Sequence, residues 1–306
     1  MKLTAYLLLF LSLGMLAGCS TLSPITWQER VEKHATQPVP RLCYQEQGQG
    51  EVLLLLHGFG ESHFTWRYLV DDLAKNHRVI MPDLKGFGAS PKPRDGRYSI
   101  YDQALAVRQF IEQQHLHEVT LIGHSLGGGV ALALALMAQR QPQTWHVKRL
   151  VVIDGAAYWQ RLPSMLAELK RPVVGRLGVY LVSPVYQARK AYEFSFYNDR
   201  RIPAEGVQES AKNFAKPGAR YVYLQSAKQL VPDDIREVSG QYSTIRVPTL
   251  IIWGDHDVVV PGRYARKLHQ AIKHSRLEWI AQAGHMPHEE QPQEVLRVIQ
   301  DFLSSL

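Results

Sequence analysis

The stretch Val119-Thr120-Leu121-Ile122-Gly123-His124-Ser125-Leu126-Gly127-Gly128-Gly129 decides how this chain folds. Its first four residues suit a buried strand. A small-residue turn follows, centred on Ser125. The run Val130-Ala131-Leu132-Ala133-Leu134-Ala135-Leu136 then favours helix. Gly123-His124-Ser125-Leu126-Gly127 is a G-x-S-x-G nucleophile elbow. A strand that turns sharply into a helix crowds the residues two before and two after the apex, and a missing side chain relieves that crowding. The apex serine is expected in strained backbone geometry, its hydroxyl exposed above the sheet. The pentapeptide alone recurs by chance, so its partners elsewhere in the chain carry the decision.

Around it, the apolar run 52–56 reads as a strand buried on both faces of a parallel sheet, ending in His57-Gly58-Phe59-Gly60. Residues 66–75 read as a helix and 77–83 as the next strand. Leu84-Lys85-Gly86-Phe87-Gly88-Ala89-Ser90-Pro91 is a glycine-rich loop that does not complete G-x-G-x-x-G. Residues 99–114 have helical spacing, and 147–154 form the strand after the elbow helix. Further strands are expected at 248–254 and 276–280, with an amphipathic helix over 292–303 closing the chain.

A serine hydroxyl is a weak nucleophile at neutral pH. It needs a base, and the base needs an acid to hold its tautomer and stabilise its cation. Asp255-His256-Asp257 follows one strand, and Ala283-Gly284-His285-Met286-Pro287-His288 follows the last. The order Ser125, Asp257, His285, together with HGFG, GHSLGG, WGDHD-x-x-x-P and AGHMPHEEQP, resembles the α/β-hydrolases over about residues 44–304. The resemblance implies an α/β fold: a mostly parallel central sheet, helices on both faces and an inserted helical cap. It assigns Ser125 as nucleophile, Asp257 as acid and His285 as base, with the N–H groups of Phe59 and Leu126 holding the oxyanion. Asp255 is expected to cap a turn, His288 to pack behind His285 or cap the last helix, and His124 to be at most an environment residue. Asp83 is expected to brace the elbow, and His57 to hydrogen-bond structurally. The implied chemistry is hydrolysis of carboxylic esters, as in capped lipases and esterases, through an acyl-enzyme, with a small-molecule or lipid ester as substrate. Serine argues against the epoxide hydrolases and haloalkane dehalogenases of this fold, which use Asp. Carbon–carbon bond hydrolysis, thioester, peptide or perhydrolase chemistry, and a non-catalytic envelope lipoprotein remain as alternatives. No metal or cofactor is implied.

The remaining features set boundaries. Among 306 residues the formal charge is +7, without a dense Lys/Arg run or aromatic interleaving, which argues against nucleic-acid binding. The thirteen histidines are scattered, and no C-x-x-C or H-E-x-x-H occurs. Met1-Lys2, the apolar run 3–16 and Leu16-Ala17-Gly18-Cys19 read as an export signal over 1–18. Leu-Ala-Gly-Cys resembles the bacterial lipobox, which implies lipidation of Cys19, a membrane anchor and, with Ser20 following, the outer membrane. Residues 19–40 then form a tether, and Cys43 is expected as a small buried residue. The core is expected at 41–155 and 247–306, and a cap at 156–246. The cap is broken by several prolines and holds 14 Lys and Arg against 8 Asp and Glu, a net +6. That charge fits either a solvated helical face or a surface that meets anionic lipid or substrate. Trp159, Tyr180, Tyr186, Phe194 and Phe196 are candidates to line an acyl pocket.

Overall fold

The computed structural model describes residues 39–139, 144–162, 164–171 and 173–305. The signal, Cys19 and nearly all of the tether lie outside these residues. In chain order, β1 (Tyr44–Gln47), β2 (Glu51–Leu56), a 3-10 turn (His63–Trp66), α1 (Val70–Leu73) and β3 (His77–Pro82) come first. α2 (Ile100–Gln113), β4 (Glu118–His124), α3 (Leu126–Ala138) and β5 (His146–Ile153) follow. Six helices then separate β5 from the next strand: α4 (Ser164–Lys170), α5 (Val174–Leu181), α6 (Pro184–Ser195), α7 (Ala204–Ala215), α8 (Ala219–Gln229) and α9 (Ile235–Ser239). β6 (Thr249–Gly254), α10 (Arg263–Ala271), β7 (Ser275–Ile280), α11 (Pro287–Glu290) and α12 (Pro292–Ser304) complete the fold.

The seven strands lie in the order β1-β3-β2-β4-β5-β6-β7. Only β1 runs antiparallel, against β3. Strand periodicity divides the core into two layers. Leu54, Leu56, Leu121, Val152 and Trp253 pack on one face in a cluster with side chains of α2, α3 and α10. Leu53, Leu55, Ile122, Val151 and Ile252 pack on the other face with those of α1 and α12. The continuous apolar strands are therefore covered on both sides, as a parallel sheet requires. Each fully buried Leu contributes about 2 kcal/mol relative to exposure.

Three features differ from the sequence reading. Residues 66–75 do not form one helix. Ser62 caps a 3-10 turn, the Arg67 and Leu69 N–H groups bond three residues back, and only Val70–Leu73 is α-helical. Thr65 and Arg67 both reach Glu289, which holds this segment against the last helices instead of letting it wind on. Second, β1 has no counterpart in the reading above. Its residues Tyr-Gln-Glu-Gln are all exposed, so no apolar alternation marks an edge strand. Third, Cys43, just before that edge, is exposed rather than buried, with its thiol turned to the Ala89 carbonyl.

Candidate active site

The sheet order reverses direction between β2 and β4, the place where open α/β sheets form a crevice at the carboxyl ends of their strands. The loops after β2, β4, β5, β6 and β7 all leave that edge. Residues from five distant parts of the sequence are thereby brought together.

The turn after β4 is tight. Ser125 has φ 51° and ψ −114°, left-handed backbone that a non-glycine residue adopts only under constraint. Its N–H donates to the Ile153 carbonyl (2.9 Å), and its carbonyl accepts from Gly129 and Ala156. A Cβ at Gly123 would meet the Gly127 carbonyl carbon at 2.6 Å, and one at Gly127 would meet the His57 carbonyl oxygen at 2.7 Å. Both neighbours are backbone, which explains the spacing of the two glycines.

Ser125 Oγ lies 2.8 Å from His285 Nε2, and His285 Nδ1 lies 2.8 Å from Asp257 Oδ2. The second contact fixes the tautomer: Nδ1–H donates to the carboxylate, and Nε2 is left to accept from the serine hydroxyl. Asp257 Oδ1 accepts the N–H groups of Val259 (2.7 Å) and Val260 (2.9 Å). Burial pushes the Asp257 carboxyl upward, but the His285 imidazole and these donors outweigh it and hold the group below its ordinary range. Trp253 Nε1–H donates to the Val260 carbonyl and pins the loop that carries Asp257. Asp255 stands apart: it is exposed, and its Oδ1 faces His256 Nδ1 and the Ala283 N–H.

Phe59 and Leu126 line the loop and helix start beside Ser125, and among the described residues no acceptor takes either N–H. His57 is fully buried and neutral. Its Nε2 accepts the Leu84 N–H and its Nδ1–H donates to the Gly58 carbonyl, while burial lowers its pKa. Asp83 accepts from His63 through Oδ1 and from the Ala89 N–H through Oδ2, tying the glycine-rich loop together.

Three residues, Asp154, Glu61 and Glu290, were not singled out in the sequence, and His124 and His288 do more than was expected of them. Asp154, directly after β5, is fully buried with φ 45°. Its Oδ1 accepts the Gly254 N–H (3.0 Å), and the carboxyl also shares a side-chain hydrogen bond with Asp257. It forms a group with Asp257 and His285 whose polar atoms lie within 4.8 Å of one another. Burial, then the Asp257 charge, raises its pKa well above the ordinary value, so of the two carboxyls Asp154 is the one that favours keeping its proton. Glu61 accepts the Gly58 N–H (2.8 Å) and faces His124 Nδ1 at 3.3 Å. Burial opposes its ionisation, but His124 outweighs burial and brings the Glu61 pKa to about 2. His124, in turn, donates Nε2–H to the His285 carbonyl (2.8 Å). Burial disfavours its cation, yet Glu61 raises its pKa. It thus positions the base more directly than an environment residue would. His288 packs against His124 and Trp66, with ring centroids at 4.4 and 4.9 Å. Its Nε2 bonds Thr65, and burial, followed by the His124 charge, drives its pKa down. Glu61, His124 and His288 are spaced as metal ligands could be, but Glu61 and both nitrogens of His124 are engaged within the protein. The third new residue is Glu290. It accepts the Gly284 N–H and, across the roof of the site, those of Tyr197 and Asn198 (2.8, 3.0 and 2.8 Å). Beside it, His285 N–H donates to the Ser195 carbonyl (2.6 Å).

Helices α4 to α9 cover the crevice and enclose a cavity of about 370 Å³ that opens onto Ser125 and His285. Phe59, Tyr158, Leu166, Phe214, Tyr223 and Met286 form much of its wall, with Glu61 and Lys190 as its charged side chains. Of the five aromatic candidates, Tyr186 and Phe194 line it. Trp159 and Tyr180 are exposed, and Phe196 is buried with Tyr192 and Val207 in the helical layer.

A family model described as alpha/beta hydrolase fold matches residues 51–292, and the chain belongs to that family. It is 28% identical over 246 residues to Lipase 3 of Moraxella sp. (strain TA144), covering 78% of this chain and 72% of that protein. It is 27% identical over 265 residues to the 2-hydroxy-6-oxo-2,4-heptadienoate hydrolase of Pseudomonas putida, covering 84% and 91%. Among solved structures, a membrane phospholipase A described as a bacterial virulence factor superposes with a TM-score of 0.71 at 27% identity, covering 86% and 82%.

Proposed function

We propose that this hydrolase cleaves carboxylic esters by acyl transfer through Ser125, His285 and Asp257. The observation that carries the reading is the unbroken line of contacts from Ser125 Oγ through the imidazole to Asp257, 2.8 Å at each step. His285 Nε2 takes the hydroxyl proton as Oγ bonds to the ester carbon. The N–H groups of Phe59 and Leu126 stabilise the resulting oxyanion. The C–O bond to the leaving alcohol breaks as Nε2–H returns the proton to it. Water, deprotonated by the same nitrogen, then releases the acid. The largely apolar cavity supports an acyl chain as the group bound beside the serine, in keeping with the lipase and phospholipase among the relatives.

Ser125→Ala tests the mechanism. Turnover of p-nitrophenyl esters is expected to fall by a factor on the order of 10⁴ or more, with fluorophosphonate labelling lost and the fold intact. Retained turnover would remove the reading. Carbon–carbon bond hydrolysis is the second reading, supported by the likeness to the heptadienoate hydrolase. Faster cleavage of a vinylogous diketone acid than of any ester in a chain-length series would favour it.

Export and lipid attachment at Cys19, with residence in the bacterial outer membrane, are proposals that rest on Met1-Lys2, the apolar run 3–16, Leu16-Ala17-Gly18-Cys19 and Ser20. Palmitate labelling that persists in Cys19→Ser would overturn them.

A further inference from the structure

The outer layer of the helical roof presents an apolar face to solvent. Val173, Val174, Leu177, Tyr180 and Leu181 are 67, 42, 52, 57 and 76% exposed. Their spacing (i, i+1, i+4, i+7, i+8) puts them on one side of α5. The opposite side carries Val179, which is fully buried against Phe214 and Leu224. Val185 and Tyr186, at the start of α6, extend the exposed strip and are 46 and 56% exposed. An amphipathic helix of a globular protein buries its apolar stripe. Here two stripes exist, and one faces outward.

Charge says what fits it. From residue 164 to residue 195 there are five Lys and Arg against two Glu, a net +3. Glu168 pairs with Arg171, and Glu193 with Arg189 and Lys190. Lys170 and Arg176 are exposed and have no carboxylate partner among the described residues. Apolar and tyrosine side chains flanked by uncompensated cations match the interfacial zone of an anionic bilayer. No described helix is long and apolar enough to cross a membrane, so such contact would lie in the interface plane.

Position gives the face a purpose. Leu166 and Leu169 from α4, Val182 after α5, and Tyr186 and Gln187 from α6 line the cavity above Ser125. Tyr186 belongs both to the wall of that cavity and to the outer strip. Its side chain therefore links the outer strip to the cavity that opens onto Ser125. We propose that the exposed strip of α5 and the start of α6 seats on an anionic phospholipid surface and passes bilayer-dissolved esters into the cavity, an inference whose second half rests on the ester-hydrolase reading.

The test uses the full chain and the double variant Leu177→Asp/Leu181→Asp, which alters exposed side chains and leaves the site untouched. The expected result is that kcat/KM for soluble umbelliferyl butyrate stays within twofold of wild type. Hydrolysis of umbelliferyl laurate embedded in phosphatidylglycerol vesicles falls at least tenfold. Wild type is expected to act several-fold faster on that ester in phosphatidylglycerol than in phosphatidylcholine vesicles, with the difference shrinking at high salt. Separately, Leu181→Trp should add fluorescence that phosphatidylglycerol with brominated acyl chains quenches. Equal vesicle turnover by wild type and the double variant, or an added tryptophan that brominated lipid leaves unquenched, overturns the proposal. A concentration-dependent dimer that only the double variant loses, with vesicle turnover unchanged, also overturns it and assigns the strip to a second copy of the chain. Failure of wild type on the soluble ester would sink the hydrolase reading instead, and the quenching would still report on docking.

Discussion

Two buried carboxyl groups stand beside the imidazole, and the structure dictates which of them can lose its charge without consequence. Polar atoms of Asp154, Asp257 and His285 lie within 4.8 Å of one another. Two ionised carboxylates at that distance repel by about 3.5 kcal/mol at an effective dielectric constant near 20. Asp257 has the imidazole and two backbone N–H groups to favour its anion, whereas Asp154 has one N–H and full burial. Asp154 therefore keeps its proton, and that proton has the Asp257 carboxylate as its nearest acceptor. Asp154→Asn is close to an isosteric replacement for a protonated Asp: it keeps an acceptor for Gly254 N–H and a donor toward Asp257. We expect kcat/KM on p-nitrophenyl butyrate within about fivefold of wild type, with pH profiles that coincide from pH 6 to 9. Asp257→Asn, by contrast, leaves the imidazole without its anion and should cost on the order of 10⁴. A fall of more than a hundredfold in Asp154→Asn, with an unchanged thermal melt, would refute this division of charge and make Asp154 the ionised partner.

Further outcomes follow from the same geometry. Gly127→Ala forces a methyl group onto the Leu56 and His57 backbone carbonyls and should cost at least about 3 kcal/mol in urea unfolding, because neither neighbour is a side chain that can rotate away; a loss under 1 kcal/mol would contradict it. Glu61→Gln removes a group whose pKa falls from 4.5 in the unfolded chain to about 2 in the fold. A depressed carboxyl stabilises above its unfolded pKa and loses that effect as pH falls through its folded one, so wild type should exceed the variant by about 3 kcal/mol at pH 6 and converge with it toward pH 2. The raised pKa of His124 works in the other sense, its contribution fading as pH rises through the folded value. A stability gap that does not change between pH 5 and pH 2 would argue against the ion pair.

The amino-acid sequence was most readable where one physical constraint acts alone. β2, β4, β5 and β6 are nearly continuous apolar runs because both faces of the sheet are covered, and their bounds lie within a residue or two of the expected ones. Ser99 begins α2 with a capping box to Asp102, a local signal. Ser125, His285 and Asp257 could be singled out because each follows a strand at the carboxyl edge of the sheet. β1 and the segment 63–73 were not readable, since an exposed edge and a 3-10 turn held by Glu289 depend on partners far away in the chain. Asp154 and Glu61 went unremarked for a related reason. Asp154 sits one residue and Glu61 five residues beyond a strand, in Ile153-Asp154-Gly155 and His57-Gly58-Phe59-Gly60-Glu61. A carboxylate placed so close to an apolar strand end is a signal, but its meaning arises only from the Asp257 or His124 that the fold sets beside it. The acyl-pocket aromatics show the same limit: helical spacing does not tell an inner face from an outer one when both are apolar.

The bonds of Glu290 and Ser195 to both sides of the crevice have a mechanical consequence. They fasten the end of α6 to the loop that bears His285, so that edge of the roof cannot lift without dragging the imidazole out of line. Tyr223 clamps α8 to Gly60, and Asn213 clamps α7 to Ser62, in the same manner. Among the described residues, α4 and α5 lean on the rest of the roof through apolar contacts such as Val179 and Leu169 against Phe214 and Tyr223, with the Arg220 guanidinium over the Tyr180 ring. Hydrogen bonds thus hold the roof on its catalytic side, and apolar and cation–π contacts hold its far side. A wider mouth would cost least at that far side, where no hydrogen bond to the loop bearing His285 has to break.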